Sequence, residues 1–275
     1  MIYLLPHSGL ANRIRVLVSG LAFADNLNQK LVIVWLKDNS LNCEFKDLFE
    51  LHNRFSVYED SFFLKLLNRM QTRPLLRKLI YALFQIDFTI SDTDMHNLVW
   101  STGTDKIDYT RLPTCAKNIF IHTCNEFHFD YYFLKFLRPV KSILNRVDAV
   151  ASAFNEKTIG IHIRRTDHAG AIKNSPLNLF IDAMKIEIAK DGETNFFLAT
   201  DDPETEYILM KKFPGKVIKC KKELSRSTKQ GIKDAMVDLY CLARTKKIYG
   251  SYFSSFSDIA ARIGNKKLKV LSLQN

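Results

Sequence analysis

The chain has 275 residues, of which 47% are hydrophobic and 25% charged, so it can bury a core large enough for one large or two modest domains. Its net charge is +11, and most of the excess is C-terminal: residues 1–140 carry 16 basic and 14 acidic side chains, and residues 141–275 carry 24 and 15. The composition excludes collagen-like, low-complexity and repeat architectures, and no apolar stretch approaches the ~20 residues of a spanning helix.

The first 36 residues predict a strand-helix-strand unit. Strands at 2–5 and 31–36 flank a helix at 11–28, and a loop follows the first strand at its carboxyl end. Asn12 and Arg13 open this helix, where unpaired backbone N–H groups favour anions. They are therefore candidate ligand contacts, although a helix cap and a surface charge would explain them equally well. The second glycine of a dinucleotide-binding fingerprint is missing.

Residues 43–138 follow a less regular pattern that is rich in aromatic side chains. Basic residues recur at four-residue intervals on a predicted helix that Pro74 divides: Lys65, Arg69, Arg73 and Arg77. Such a stripe can contact anionic lipid or an acidic acceptor, or it can be the solvated side of a packed helix. Tyr131 and Tyr132 belong either to the core or to a groove in which aromatic rings stack on sugars.

Strands and helices alternate regularly in the second half of the chain, which predicts parallel strands joined by helical crossovers. The predicted strands are 158–163, 195–200, 216–219, 247–250 and 269–273. The predicted helices are 176–190, 203–213, 231–244 and one that starts near 257. We therefore expect two α/β domains, at residues 1–140 and 141–275.

The run from Gly160 to Asp167 ends a buried strand in a pair of arginines. Ile159, Ile161 and Ile163 alternate onto one face, which leaves His162 and Arg164 on the other. Open α/β sheets bind ligands at the carboxyl ends of their strands, and the guanidinium fork matches phosphate oxygens. The run predicts an anion site, with an internal ion pair to Asp167 as the alternative.

Three further segments follow predicted strands or lie on a predicted helix. Asp202 precedes Pro203 and predicts a helix N-cap beside Asp201, and Asp238 lies on the 231–244 helix beside a buried stripe. Phe253, Ser254 and Ser255 follow the 247–250 strand, where hydroxyl and backbone N–H groups can hold phosphate oxygens. In order and spacing, these segments and the Gly160–Asp167 run resemble the donor-binding half of the GDP-fucose-dependent fucosyltransferases.

The resemblance is to the α1,6 branch of that family, which includes the rhizobial chitooligosaccharide fucosyltransferases. It covers about residues 157–264, and Gly9–Arg13 is similar to the Gly-x-x-Asn-Arg loop of these enzymes. It implies a GT-B-like α/β fold in which two Rossmann-like domains face a cleft, with the acceptor on the N-terminal side and the nucleotide sugar on the C-terminal side. It also implies an inverting transfer of L-fucose from GDP-fucose to a glycan hydroxyl.

The resemblance assigns roles to the residues singled out above. Arg164 would stabilise the departing diphosphate, and Asn12 and Arg13 would lie on the acceptor side. The donor would contact His162, Arg164, Arg165, Asp201, Asp202, Asp238, Phe253, Ser254 and Ser255. The glutamate that follows the Arg-Arg-Thr-Asp segment in the core fucosyltransferases is missing here, so Asp167 and His168 are the candidate catalytic residues for proton removal.

The expected partners follow from this assignment. They are a nucleotide-sugar donor and an oligosaccharide or lipid-linked glycan acceptor, without a metal, another cofactor or nucleic acid. Five scattered cysteines and no signal peptide predict reduced thiols in a cytoplasmic protein, and the basic stripe adds peripheral contact with the inner membrane face. The alternatives are a glycosyltransferase that uses another nucleotide sugar and a noncatalytic polyanion-binding protein.

Overall fold

The structure is a computed structural model that describes residues 1–59, 78, 81–82, 84–99, 116–128, 130–166 and 169–273. It divides into an N-terminal unit, Met1–Val140 with Arg226–Lys229, and a C-terminal unit, Lys141–Ser225 with Gln230–Asn275. The short segment joins the N-terminal unit because the Asn42 backbone donates to the Arg226 carbonyl at 3.1 Å.

The described part of the N-terminal unit contains a parallel five-stranded sheet in the order β3-β2-β1-β5-β4. The strands are β1 (Ile2–Pro6), β2 (Leu31–Trp35), β3 (Phe55–Glu59), β4 (Phe88–Ile90) and β5 (Ile119–Thr123). The helices are α1 (Leu10–Asn26) and α2 (Asp92–Leu98), with 3-10 turns at Phe45–Asp47 and Tyr131–Phe136. Strands β1 and β2 are continuously apolar and fully buried, as expected for parallel strands covered on both faces.

Aromatic side chains build part of the N-terminal core. The Phe45 ring lies 5.5 Å from Trp35, 5.2 Å from Phe49 and 5.7 Å from Phe55. The indole N–H of Trp35 donates to the carbonyl of Cys43 at 2.8 Å. The aromatic side chains at the start of this irregular region therefore pack with β2 and β3.

The described part of the C-terminal unit contains a second parallel five-stranded sheet, in the order β10-β9-β6-β7-β8. Its strands are β6 (Ile159–Ile163), β7 (Phe196–Thr200), β8 (Val217–Lys219), β9 (Lys247–Ser251) and β10 (Lys267–Leu271). Its helices are α3 (Lys141–Ala151), α4 (Ala169–Asn174), α5 (Leu177–Lys190), α6 (Pro203–Lys212), α7 (Lys229–Ala243) and α8 (Ser255–Gly264). The predicted alternation is confirmed, with each predicted boundary within two residues.

The predicted two-faced strand is also confirmed in β6. Ile159, Ile161 and Ile163 pack with Phe180 and Met184 of α5 in one buried cluster. On the opposite face, a Cβ atom added to Gly160 would lie 3.0 Å from Leu242 of α7. Helices therefore cover both faces of the sheet, and the side chain of His162 turns away from the isoleucines.

Each sheet has one place where the strand order reverses. In the N-terminal unit β1 lies between β2 and β5, and in the C-terminal unit β6 lies between β7 and β9. Parallel α/β sheets bind ligands outside the carboxyl ends of the strands at such reversals. The loops that follow β1, β5, β6 and β9 are thus the places to look for chemistry. Among the described helices, none has the length and apolar character needed to cross a membrane.

Candidate functional site

The loop after β6 is shaped by the carboxylate of Asp201, which follows the neighbouring strand β7. Asp201 accepts hydrogen bonds from the backbone N–H of Arg165 at 2.7 Å and from the hydroxyl of Thr166 at 2.7 Å. The backbone N–H of Arg164 donates to Ser251 Oγ, at the end of β9, at 3.1 Å. Both neighbouring strands therefore fix the loop that carries the half-buried Arg164 side chain. Asp201 has a structural part in this site whether or not it also touches a donor.

Arg165 braces this loop from the other side. Its Nη2 donates to the Ser175 carbonyl at 2.9 Å. Burial lowers the pKa of Arg165, while Asp202 and Asp201 oppose the shift. Ser175 also ties in the second loop, because its Oγ accepts from the Tyr252 N–H at 2.8 Å. One buried serine that sequence reasoning missed thus connects the loops that follow β6 and β9.

His162 lies beneath these loops as a neutral, buried ring. Burial lowers its pKa to about 3, so the imidazole is uncharged near neutral pH. The ring stacks on Phe256 at 4.9 Å, and Nδ1 lies 3.4 Å from Ser254 Oγ. This position favours support of the loop after β9 over direct contact with a charged ligand. Arg164, Asp201 and Lys222 lie close enough to act electrostatically on this ring, which places three charges around it.

Asp202 is the N-cap of α6. Its carboxylate accepts from the backbone N–H groups of Glu204 at 3.3 Å and Thr205 at 3.0 Å. The predicted acidic cap followed by proline is confirmed. Its described hydrogen bonds account for this carboxylate without a ligand.

Asp238 of α7 is the buried acid of this unit, and Lys222 is its partner. Lys222 Nζ lies 2.6 Å from Asp238 Oδ2, and both side chains are at least 93% buried. Burial raises the pKa of Asp238, and Lys222 and, to a smaller degree, the thiol of Cys220 oppose the shift. The other carboxylate oxygen, Oδ1, is buried and has no hydrogen-bond partner among the described residues. A buried carboxylate oxygen left unsatisfied costs free energy, which a ligand N–H group would recover.

The loop after β9 leads directly into α8. A Cβ atom added to Gly250 would lie 2.7 Å from the Cβ of Ser257, so only glycine lets α8 begin this close to the strand. Phe253 has a φ of 51° and its side chain is 76% exposed. A large residue in this left-handed conformation costs about 1–3 kcal/mol and is typical of functional sites. Ser254 is the N-cap of α8 but makes no side-chain capping hydrogen bond, so the helix start remains open to an anion.

Asn12 and Arg13 have different surroundings in the N-terminal unit. Arg13 is completely buried, and its fork donates to the Ser8 carbonyl at 2.8 Å, the Leu36 carbonyl at 2.5 Å and Asp38 Oδ2 at 2.7 Å. Asn12 Nδ2 donates to Ser8 Oγ at 3.0 Å. Both side chains therefore hold the loop between β1 and α1 through Ser8, and Arg13 also ties this loop to the segment that follows β2.

Sequence reasoning missed a histidine and an acid that pair at the carboxyl end of the N-terminal sheet. His7 directly follows β1, and its Nε2 lies 2.8 Å from Oδ2 of Asp92 at the start of α2. His7 could have been found from its place directly after a buried strand. Asp92 carried no such signal, because it lies 85 residues away in the irregular part of the chain.

Some predicted residues fall outside the described residues. Asp167 and His168, the candidate bases, are among them, and so is the basic stripe of Lys65, Arg69, Arg73 and Arg77.

The stretch with Tyr131 and Tyr132 is a 3-10 turn in which Tyr132 is 61% exposed and Lys135 Nζ lies 3.3 Å from the centroid of the Tyr132 ring.

Solved structures of fucosyltransferases share this fold. The α-1,6-fucosyltransferase NodZ soaked with GDP-fucose matches with a TM-score of 0.66 and 19% identity over 95% of this chain and 92% of that chain. Fucosyltransferase NodZ from Bradyrhizobium matches with a TM-score of 0.64 and 20% identity over 94% and 91%. A mutant of Arabidopsis thaliana FUT1 in complex with GDP has a TM-score of 0.64 and 15% identity over 98% and 69%.

Comparison of the sequence gives no match, either to a protein-family model or to a curated protein. The structural likeness extends over nearly the whole chain and includes both units. The predicted α/β fold of the GT-B-like type, with two Rossmann-like units, is therefore confirmed. The resemblance of the sequence to fucosyltransferases is confirmed as a likeness of fold.

Proposed function

We propose that the protein is an inverting glycosyltransferase that transfers L-fucose from GDP-fucose to a glycan hydroxyl. The observation that carries the proposal is the buried, unpartnered Oδ1 of Asp238 in the unit that also presents Arg164 and the open start of α8. A carboxylate can accept hydrogen bonds from the guanine base, and a cation and a helix N-terminus can bind the two phosphates. The C-terminal unit therefore carries a group for each part of a guanosine diphosphate. The neighbours of like fold include structures named for GDP and GDP-fucose complexes.

Asp238 supplies base selection in this proposal. Guanine presents adjacent N–H donors, and a carboxylate oxygen without a partner accepts such a donor at a favourable free energy. Lys222 holds the second oxygen at 2.6 Å and so fixes the orientation of the carboxylate. Uracil has a single N–H group between two carbonyl groups, and its carbonyl oxygens would face this acid. The arrangement therefore favours guanine over uracil.

Arg164 and the start of α8 act on the diphosphate. As the bond between the anomeric carbon and the β-phosphate oxygen breaks, negative charge builds on the departing phosphate. The guanidinium fork and the backbone N–H groups of a helix N-terminus stabilise that charge without reorganising. Asp201 and Ser251 hold the loop of Arg164 in place before the reaction starts. We propose that these groups suffice without a metal ion.

The N-terminal unit binds the acceptor in this proposal, and an oligosaccharide or a lipid-linked glycan is the proposed substrate class. Asn12 and Arg13 contribute indirectly, because their hydrogen bonds go to Ser8 and to the protein interior. The exposed Tyr132 ring is a surface on which a sugar ring can stack.

The experiment is a comparison of donors with product analysis. The protein is incubated with chitopentaose and with GDP-fucose, GDP-mannose or UDP-glucose, and nucleotide release is followed together with the anomeric configuration of the product. We expect GDP release to be fastest from GDP-fucose and the anomeric configuration to invert. Faster release from another donor would assign a different sugar. No turnover, combined with steeply salt-dependent binding to heparin and DNA alike, would identify a polyanion-binding protein.

A further inference from the structure

The carboxyl end of the N-terminal sheet carries a group of polar side chains that the donor site does not use. His7 follows β1, and Thr123, Cys124 and Asn125 lie at and after the end of β5. Asp92 reaches all of them from the start of α2. The group lies where the strand order of this sheet reverses, which corresponds to the place of Arg164 in the other sheet.

Asp92 is held as a carboxylate in a fixed orientation. Its Oδ1 accepts from the hydroxyl of Thr123, from the Cys124 N–H at 3.0 Å and from Asn125 Nδ2 at 3.0 Å. Burial acts to raise the pKa of Asp92, but these hydrogen bonds and the neighbouring His7 outweigh it and lower the pKa. Oδ2 is a charged acceptor for His7, and the Cys124 thiol also donates to it with Sγ 3.9 Å away.

His7 uses one ring nitrogen for this contact and presents the other. Nε2 lies 2.8 Å from Asp92 Oδ2, and the side chain is 31% exposed. Because a carboxylate accepts the proton on Nε2, the lone pair of the neutral ring lies on Nδ1. Nδ1 makes no hydrogen bond with any residue that the structure describes. The ring thus has an oriented, partly accessible proton acceptor.

The surroundings of His7 keep its ring in position. His122 packs on it with ring centroids 4.6 Å apart, and burial, with a smaller effect of His7, lowers the pKa of His122 to about 4. His122 is therefore neutral near pH 7 and adds no competing charge. Ser8, the next residue, has a φ of 71° and is fixed by hydrogen bonds from Asn12 and Arg13. The two residues singled out in the sequence thus brace the loop that carries His7.

We propose that His7 is the general base that removes the proton from the acceptor hydroxyl, with Asp92 as the residue that positions it. The proposal rests on the proposed fucosyl transfer. The hydroxyl proton moves to Nδ1, and the oxygen electron pair forms the bond to the anomeric carbon. The bond from that carbon to the β-phosphate oxygen breaks, and its electron pair leaves with GDP. The resulting imidazolium is stabilised by the carboxylate of Asp92.

A shared metal ion is the competing explanation for this group. Single ligand atoms of His7, Asp92 and Cys124 lie within 4.8 Å of one another, and no other such group was found in the described ranges. Burial raises the pKa of the Cys124 thiol, and the described hydrogen bonds already account for both oxygens of Asp92. The geometry therefore favours a base with its orienting acid, and the metal becomes an outcome of the test.

The test measures GDP release from GDP-fucose in the presence of chitopentaose for His7→Ala, His7→Gln and Asp92→Asn. Release reports transfer to the oligosaccharide or to water, and both acceptors must lose a proton. We expect about a 10²–10⁴-fold loss of turnover for both His7 variants, with GDP affinity unchanged. Added imidazole should restore part of the activity of His7→Ala. His52→Gln is the matched control, a half-buried histidine of the same unit that lies away from the group.

For Asp92→Asn, a loss of turnover alone would not distinguish a positioning role from a purely structural one. The pH–rate profile is therefore measured as well. The groups that face His7 are Asp92, His122 and Cys124, with Arg15 beyond Cys124. Loss of the carboxylate should move the acid limb of the pH–rate profile to lower pH as well as reduce turnover.

Three results would overturn the proposal. Near-normal turnover of His7→Ala would show that His7 is not the general base. An unchanged pH profile in a folded Asp92→Asn protein would show that Asp92 does not position His7. Loss of wild-type activity with a chelator, restored by Zn²⁺, would assign the group to a metal. A wild-type protein that neither binds GDP nor releases it from GDP-fucose would overturn the proposed function itself, before any variant is compared.

Discussion

An arginine lies just beyond the first strand of each unit, and the two arginines have opposite surroundings. Arg13 is completely buried and donates to two carbonyl groups and one carboxylate of its own unit. Arg164 is half-buried at the carboxyl end of β6, and its loop is held by groups on both neighbouring strands. Arg13 therefore stabilises the loop beside it, whereas the loop of Arg164 is held by other groups and leaves the Arg164 side chain half-buried.

The same comparison applies to the acids of the two units. Asp92 accepts five hydrogen bonds from groups that the structure describes and keeps a lowered pKa, whereas Asp238 has a raised pKa and one buried oxygen without a described partner. A satisfied carboxylate can orient a neighbour, and an unsatisfied one can receive a ligand. We therefore expect burial and hydrogen bonding, rather than residue type, to separate the acid that positions a neighbour from the acid that binds a ligand.

The largest expected effect is on stability, from Arg13→Met. The change removes one donor from Asp38, whose side chain is 35% exposed, and leaves the carbonyl groups of Ser8 and Leu36 without the donor that Arg13 supplies. An acceptor left unsatisfied inside a protein costs about 1–3 kcal/mol, so the two carbonyl groups carry most of the expected loss of stability. Denaturant unfolding of the N-terminal unit measures it. Arg15→Met is the control on the same helix, since Arg15 donates only to the Cys124 carbonyl in the described structure. Equal stability of the two variants would show that Arg13 is not the brace of this loop.

The next effect is on rate, from Arg164→Lys. The charge is kept, but a single ammonium group cannot grip a diphosphate as a fork does. We expect about a 10²–10³-fold loss of turnover with GDP-fucose, nearly as large as for Arg164→Ala. Arg165→Lys is the neighbouring control and should lose less, because Arg165 bonds to Ser175. Near-normal turnover of Arg164→Lys would show that the arginine is structural and that the leaving-group site lies elsewhere.

A smaller effect is expected on GDP binding, from Asp238→Asn. The substitution removes the charged acceptor, and a hydrogen bond to a charged group contributes about 1.5–3 kcal/mol, so the Kd for GDP should rise about 10- to 100-fold. Calorimetric titration measures it. Wild-type affinity should also fall in acid, because the pKa of Asp238 is raised and protonation removes the acceptor. An unchanged Kd in a folded variant would separate Asp238 from base recognition.

Local sequence pattern predicted much of the C-terminal unit. The isoleucine alternation in β6 and the cap formed by Asp202 depend on residues close in sequence, so periodicity and capping rules predicted them. The partner of Asp238 could not be predicted in the same way. Lys222 lies 16 residues before it, among several lysines that look alike in the sequence.

The N-terminal site depends on contacts between distant residues, which local pattern does not encode. Asp92 meets His7 across 85 residues, and Arg13 meets Asp38 across 25. An arginine at a helix start looks like a surface charge or a ligand contact in the sequence. Only the loop geometry shows that each of its three nitrogens donates to a group of its own unit.

Nucleotide preference tests the central claim, that the C-terminal unit binds a guanosine diphosphate without a metal. The thermal stability of the wild-type protein is measured with GDP, UDP, CDP and ADP, with and without a chelator. GDP at ~100 times its Kd should add ~2.7 kcal/mol if the unfolded chain does not bind it. The account predicts that GDP gives the largest increase in Tm and that the chelator leaves it unchanged. A larger increase with UDP, or loss of the GDP effect with the chelator, would contradict it.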